Sequence, residues 1–235
     1  MERINLCSVF IDSVTLEEAA EVALRSPQTA IVYTPNATML ERCGKEERLA
    51  ELLNRATLSL PDGMGVVWKA RALGTPLRSR VAGIDFGERL LACAAEQDLG
   101  VYLLGGKEGV ALRACQRLCS LFPRLRICGY HSGYFSKQGL ENEHVLEEIR
   151  HAKPDILFVC FGFPLQEEWV DANRESLGDV RVIAALGGSI DVWADGIRRA
   201  PRLFSRLGLE WAWRMALEPH RLRQLPGIVR FMFKK

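Results

Sequence analysis

Pro61-Asp62-Gly63 sets a carboxylate directly after the apolar run Ala56 to Leu60 and directly before Met64 to Leu73, a stretch that reads as a helix. An acid at the mouth of a strand-to-helix turn lies where parallel α/β sheets bind ligands, just outside the carboxyl ends of the strands. There Asp62 could serve as a general base that takes a proton from an attacking hydroxyl. Asp-Gly is also common turn chemistry, because Asp accepts backbone hydrogen bonds and Gly tolerates a positive φ. Other polar residues fall at strand ends: Thr34 and Asn36, the glycines Gly105, Gly106 and Gly109, Gln166, and Asp191. In a parallel sheet these ends share one edge, so residues far apart in sequence can converge. Taken singly, Thr34, Asn36 and Gln166 suit loop or cap hydrogen bonding better than chemistry.

Gly105-Gly106-x-x-Gly109 after an apolar strand resembles, weakly, a dinucleotide-type turn, in which backbone N–H groups at a helix N-terminus receive phosphate. It lacks the full G-x-G-x-x-G spacing, and glycine also serves tight turns for steric reasons. There is no G-x-x-x-x-G-K-[ST] sequence, no Asp-x-Asp pair to hold a divalent cation on a diphosphate, and no H-x-x-x-H among His131, His144, His151 and His220. No metal and no cofactor are expected. A diphosphate handled without metal needs cationic side chains, and arginine offers permanent charge with planar, bidentate donors. Arg80, Arg198, Arg199, Arg202, Arg214, Arg221 and Arg223 are the candidates.

The elements that must position these groups alternate in type. Strands are expected at Ile4–Ile11, Thr29–Tyr33, Ala56–Leu60, Gly100–Leu104, Arg124–Tyr130, Asp155–Phe161 and Val180–Leu186. Helices are expected from Thr15 (a Thr15-x-x-Glu18 capping box) to about Arg25, and over Lys45–Arg55, Met64–Leu73, Ile84–Gln97, up to Leu121, over Leu140–Ala152 and from Leu165. Arg78 to Gly83 reads as a basic loop. Strands alternating with helices predict an α/β fold, a Rossmann-like, mostly parallel sheet with helices on both faces. With 235 residues, 48% of them hydrophobic, the chain can bury a large core.

Charge divides the chain at about residue 195. From Gly196 onward ten Lys or Arg face only Glu210 and Glu218, a net of +8, so residues 1–195 carry −6. That segment also holds Phe204, Trp211 and Trp213, and then Leu222, Leu225, Ile228, Val229, Met232 and Phe233 near helical spacing. The division expected is a catalytic core over 1–195 and a basic, aromatic helical appendage over 196–235. Interleaved apolar and basic residues suit a membrane surface or a groove for an anionic ligand, and equally a helix docked on its own domain. Such a tail could also be masked between subunits of a homo-oligomer. No nucleic-acid partner is expected. No basic n-region leads into a long apolar run, and no apolar run reaches the roughly 18 residues of a membrane span. Seven cysteines without a CxxC pair fit reduced, buried thiols in a cytosolic protein.

Taken together, the motifs carry a resemblance. Thr34-Pro35-Asn36, Pro61-Asp62-Gly63-Met64-Gly65, Arg80 with Gly83-x-Asp85, and Leu103-Leu104-Gly105-Gly106 occur in order. Gly162-Phe163-Pro164-x-Gln166-Glu167, Gly187-Gly188-x-x-Asp191, Arg199-Ala200-Pro201 and Leu209-Glu210-Trp211-x-Trp213-Arg214 with Glu218-Pro219 follow. Over about Ile4 to Arg223 the chain resembles the WecG/TagA/CpsF glycosyltransferases. The resemblance implies inverting transfer of a sugar, typically N-acetylmannosamine, from a UDP-sugar donor to a polyprenyl-diphosphate-linked sugar acceptor. It places the work at the cytoplasmic membrane face, during synthesis of teichoic acid or another surface polysaccharide, and implies a C-terminal appendage that approaches the membrane. One departure is visible: many members read Ala-Gly-x-x-x-Arg-Ala-Pro, whereas Ala194-Asp195-Gly196 displaces the glycine by one.

On that reading Asp62 is the base, and Thr34, Asn36 and Gln166 orient sugar hydroxyls and the N-acetyl group. Arg80, the Gly105-Gly106 turn and tail arginines such as Arg214 and Arg221 stabilise the departing UDP. Gly63, Asp191, Arg199 and Arg223 complete the expected substrate-binding set. Two rival readings stand beside it: a nicotinamide-dependent oxidoreductase with a dinucleotide on the glycine turn, and a non-enzymatic adaptor reading anionic lipid through its tail, which would leave Asp62, Asn36 and Gln166 without a task.

Overall fold

The computed structural model describes residues 2–196 and Phe231. The chain opens with an antiparallel hairpin, β1 (Arg3–Leu6) and β2 (Val9–Asp12), followed by α1 (Leu16–Leu24). A βα succession follows: β3 (Ala30–Tyr33), α2 (Ala37–Cys43), α3 (Glu47–Asn54), β4 (Leu58–Ser59), α4 (Met64–Ala72) and α5 (Gly83–Gln97). It continues through β5 (Gly100–Gly105), α6 (Val110–Leu121), β6 (Arg126–His131), α7 (Leu140–Ala152), β7 (Ile156–Cys160), α8 (Leu165–Ala172), β8 (Val182–Ala185) and α9 (Ser189–Asp195).

Strands β3 to β8 form one parallel sheet in the order β4-β3-β8-β7-β5-β6. Every residue of β3, β5, β7 and β8 is buried. This is why those strands read as unbroken apolar runs: both faces of the sheet are covered. One face packs against α1, α5, α6 and α9. The other packs against α2, α3, α4, α7, α8 and the hairpin, and Phe231 is buried among these residues.

Three expectations change. The single strand over Ile4–Ile11 is a hairpin, turned at Cys7 and Ser8, whose φ values are 53° and 66°. α2 occupies a stretch with no expected helix, because Asn36 accepts from the N–H groups of Thr38 and Met39 and so starts one. α9 begins directly after Gly187-Gly188. The capping box at Thr15 and Glu18 forms as expected. Of the cysteines, Cys43, Cys93, Cys115 and Cys160 are buried, Cys7 and Cys128 are half-buried, and Cys119 is exposed. No described helix is long and apolar enough to cross a membrane.

The hairpin has a second task. Asp12 is fully buried, pairs with Arg3 Nε at 2.8 Å and accepts from the Ser59 N–H at 2.8 Å, while Arg3 Nη2 donates to the Thr57 carbonyl. The two-residue strand β4, which delivers Asp62, is thereby tied to β2 as well as to β3. Asp12→Ala strands the Ser59 N–H in a buried site, and the expected loss is about 2 kcal/mol, read from the urea unfolding midpoint.

Candidate active site

The carboxyl ends of the central strands finish level. Tyr33 lies beside Ser59 and Ala185, Val159 beside Ala185, and Gly105 beside Cys160. Beyond that edge the chain peels off alternately. After β3 and β7 it turns to the α2/α8 face, and after β8 and β5 to the α9/α6 face. Diverging connections on neighbouring strands open a crevice, the usual ligand position in open α/β sheets.

Asp62 sits at one end of it. Its N–H donates to the Pro35 carbonyl at 3.1 Å, and the Val81 N–H donates to the Pro61 carbonyl at 3.0 Å. Three segments, 34–36, 61–63 and 80–83, are thus laced together by backbone. Asp62 is half-buried, with a side-chain or electrostatic interaction of its own. Gly63 has φ +89°, a conformation that favours glycine, and no described atom lies within 4 Å of where its Cβ would be. Open space therefore adjoins the backbone directly after Asp62. Arg80, one-fifth exposed, reaches Asp85 in the first turn of α5 at 3.4 Å.

Thr34 is buried. Its hydroxyl donates to the Ala185 carbonyl at 3.5 Å and lies 3.0 Å from an ideal Cβ on Gly83, so any larger residue at 83 would press on it. Asn36 Oδ1 is engaged in capping α2. Gln166 is the most committed of the set: Oε1 accepts from the Gly162 N–H at 3.1 Å and from the Gly187 N–H at 3.0 Å, and Nε2 donates to Glu167 Oε1 at 2.8 Å. Gln166 thereby holds together the loops after β7 and β8. The structure gives all three residues the protein-internal bonds that their residue types favour.

Glu167 has no exposed surface, and its Oε2 lacks a hydrogen-bond partner. Burial pushes its carboxyl up to about 7, opposed by the Gln166 hydrogen bond. The same burial, with Glu167 nearby, pushes the Tyr33 hydroxyl up. Glu167 closes the Gly162-Phe163-Pro164-x-Gln166-Glu167 motif, and its residue type alone assigns it no task there. The available signal was its spacing, since Glu167 and Val170 lie three apart on the inward face of α8.

The glycine turn lies four strand positions from β4, about 19 Å along the edge at ~4.8 Å per strand. A Cβ on Gly105 would fall 2.4 Å from the Cys160 carbonyl oxygen, so glycine is obligatory at that approach. The Gly106 N–H is directed at that same carbonyl at 3.4 Å, a long contact. Asp191 lies in the first turn of α9, half-buried, close to Gly188. Gly196 takes the left-handed conformation (φ +59°) that closes α9, so the displaced glycine is used as a helix stop. Arg199, Arg214, Arg221 and Arg223 lie outside the described residues, as do Arg198 and Arg202. Among the described residues no group of three or more His, Cys, Asp or Glu side chains is placed to hold a metal ion.

Comparison with known proteins follows the same lines. The Glycosyl transferase WecG/TagA/CpsF family matches residues 4–235. An N-acetylglucosaminyldiphosphoundecaprenol N-acetyl-beta-D-mannosaminyltransferase of Bacillus subtilis (strain 168) is 33% identical over 202 residues, covering 86% of this chain and 77% of its own. A protein of the same name from Staphylococcus aureus (strain MRSA252) is 31% identical over 237 residues, covering 99% of this chain and 91% of its own. With its strand-end motifs gathered at one sheet edge and a match spanning nearly its whole length, the chain belongs to the WecG/TagA/CpsF glycosyltransferase family.

Proposed function

We propose that this glycosyltransferase moves N-acetylmannosamine from a UDP-sugar to a polyprenyl-diphosphate-linked N-acetylglucosamine, with inversion and without a metal ion, in teichoic acid or surface-polysaccharide synthesis. The observation that carries the reading is the position of Asp62 at the carboxyl end of β4, its N–H bonded to the Pro35 carbonyl while the preceding Pro61 carbonyl accepts from Val81, with open space around the Gly63 α-carbon that follows it. About 19 Å of sheet edge separates β4, which leads to Asp62, from the glycine turn after β5, a span that suits an elongated nucleotide sugar better than a lone hexose. The acceptor hydroxyl oxygen attacks the anomeric carbon as Asp62 takes its proton, and the anomeric C–O bond to UDP breaks with the electron pair leaving on the diphosphate. Arg80 and the arginines of the tail supply the fixed positive charge that stabilises that leaving group. Thr34, Asn36 and Gln166 hold the loops in register. The acceptor and the transferred sugar in the relatives' names support that part of the assignment.

The direct test incubates the protein with a panel of UDP-sugars and a short-chain prenyl-diphosphoryl-GlcNAc acceptor, with products read by mass spectrometry. A disaccharide product only with UDP-N-acetylmannosamine is the expected result. Turnover is expected to persist in excess EDTA, and a strict requirement for added divalent ion contradicts the arginine account.

The segment 196–235 is proposed as the membrane-facing part of a peripheral enzyme at the inner face of the cell membrane. Cutting it away is a poor test, since that would also remove Phe231, which is 1% exposed in the core and whose loss costs about 3 kcal/mol. Reversing charge with Arg221→Glu and Arg223→Glu is cleaner. It should release the protein from anionic liposomes in a sedimentation assay, at about 1 kcal/mol per lost charge before counting the added repulsion.

A further inference from the structure

Beyond β6 the chain folds over the glycine turn. The Gly133 N–H donates to the Gly106 carbonyl at 2.8 Å, and an ideal Cβ on Gly133 would lie 3.1 Å from the Phe161 ring and 3.2 Å from Gly105 Cα. This segment is therefore in van der Waals contact with the turn. One side chain fastens it there. Lys137 Nζ donates to the carbonyls of Gly133 at 2.7 Å and Phe135 at 2.9 Å, and stands 3.5 Å from the centroid of the Phe135 ring and 4.3 Å from that of Phe161. Phe161 belongs to the connection that leaves β7, and it packs edge-on against both Phe135 and Trp169. The ammonium thus joins the loop after β6 to the loop after β7, directly across the end of β5. A cation over two ring faces is attracted by both, and more strongly where water is partly excluded.

We propose that Lys137 is a positioning residue for the nucleotide end of the donor site, pinning the β6 and β7 loops so that the glycine turn between them holds one shape. The inference rests on the proposed UDP-sugar reading and extends it to a residue far from Asp62. The carbonyl contacts consume two of the ammonium's three protons, so its main task is to fix the loop. Gly133 then holds Gly106 through the backbone. Removal of the amino group takes away both carbonyl contacts and both ring contacts at once, and loss of the charge alone weakens all four.

Partial burial lowers the Lys137 ammonium to about 8, against a favourable Glu141 on α7. Glu141 in turn accepts from the Ser136 N–H within the same loop. From β6, His131 meets Phe135 edge-on at 5.4 Å, while α8 and the β7 loop present the rings of Trp169 and Phe161. The charge that fastens the loop is therefore lost as pH rises through about 8.

The test measures UDP affinity by calorimetry, and KM and kcat for the donor, on full-length wild type, Lys137→Met and Lys137→Arg between pH 6.5 and 9.5. Lys137→Met should raise the UDP dissociation constant and donor KM about tenfold at pH 7 with kcat changed less than threefold. Its affinity should then be flat across pH. Lys137→Arg should restore affinity and abolish the alkaline weakening seen in the wild type. Hydrogen exchange over 132–139 should quicken in Lys137→Met, with the rest of the fold protected, which separates loop release from unfolding. Unchanged UDP affinity in Lys137→Met overturns the inference and leaves the donor assignment standing. A wild type that binds no UDP overturns the donor assignment, and the inference with it.

Discussion

Asp62→Asn should lower turnover by about 10²–10⁴-fold, the range associated with removing a general base, while leaving the protein folded and able to bind UDP. Asparagine matches aspartate in shape and keeps the turn chemistry of the position. The backbone bond from residue 62 to the Pro35 carbonyl and the Gly63 conformation are untouched by the change. What disappears is the capacity to accept the acceptor's proton. The comparison to make is kcat in the acceptor assay beside the thermal shift produced by UDP. A fall in kcat with an unchanged shift places Asp62 in the chemistry, whereas near-normal turnover removes it as the base. Asp62→Ala should fall as far in rate, so a large gap between the two variants would point to a steric task for the side chain.

The family match sets aside the oxidoreductase and adaptor readings, and it does so through segments already visible in the chain. Strand ends were readable because parallel strands buried on both faces must be apolar throughout and must stop abruptly. Ala30–Tyr33, Gly100–Gly105 and Ile156–Cys160 do so. The hairpin was harder, since Cys7 and Ser8 turn the chain without glycine or proline. α2 was hidden because Asn36 looked like a loop residue, although an N-cap is the commonest reason for asparagine to stand there. The partners of side chains were less accessible still. Nothing in the spacing says that Gln166 spends its carbonyl oxygen on Gly162 and Gly187, which lie on two different strand ends, or that Lys137 folds back over Phe161. Those contacts depend on the strand order β8-β7-β5, and strand order in a parallel sheet is set by crossovers that leave no local mark.

The second large effect is expected at Gln166. Truncation to Ala strips two backbone N–H groups of their acceptor and leaves Glu167 without its donor. At about 1–3 kcal/mol for each stranded group, discounted because Gly162 and Gly187 are half-exposed, the fold should lose roughly 2–4 kcal/mol. Turnover should fall further than stability alone explains, since the loops after β7 and β8 are freed together. Gln166→Glu separates the two tasks. A carboxylate can still accept both N–H groups, but it faces Glu167, and two acids in contact cannot readily both ionise. Glu167 already titrates near 7 rather than near its ordinary 4.5, because burial disfavours its charge. The folded protein holds that proton longer than the unfolded chain does. The stability linked to it is therefore full below about pH 4.5 and is lost as pH rises through 7. Gln166→Glu should steepen this loss, giving a protein close to wild type at pH 5.5 and markedly weaker at pH 8 by thermal melting. Glu167→Gln should flatten the profile instead, its amide oxygen still accepting from Gln166. The double variant Gln166→Glu with Glu167→Gln restores one donor and one acid to the pair and should recover most of the stability at pH 8. Failure of that exchange, with both single variants behaving as stated, would mean that the loops need an amide at 166 itself.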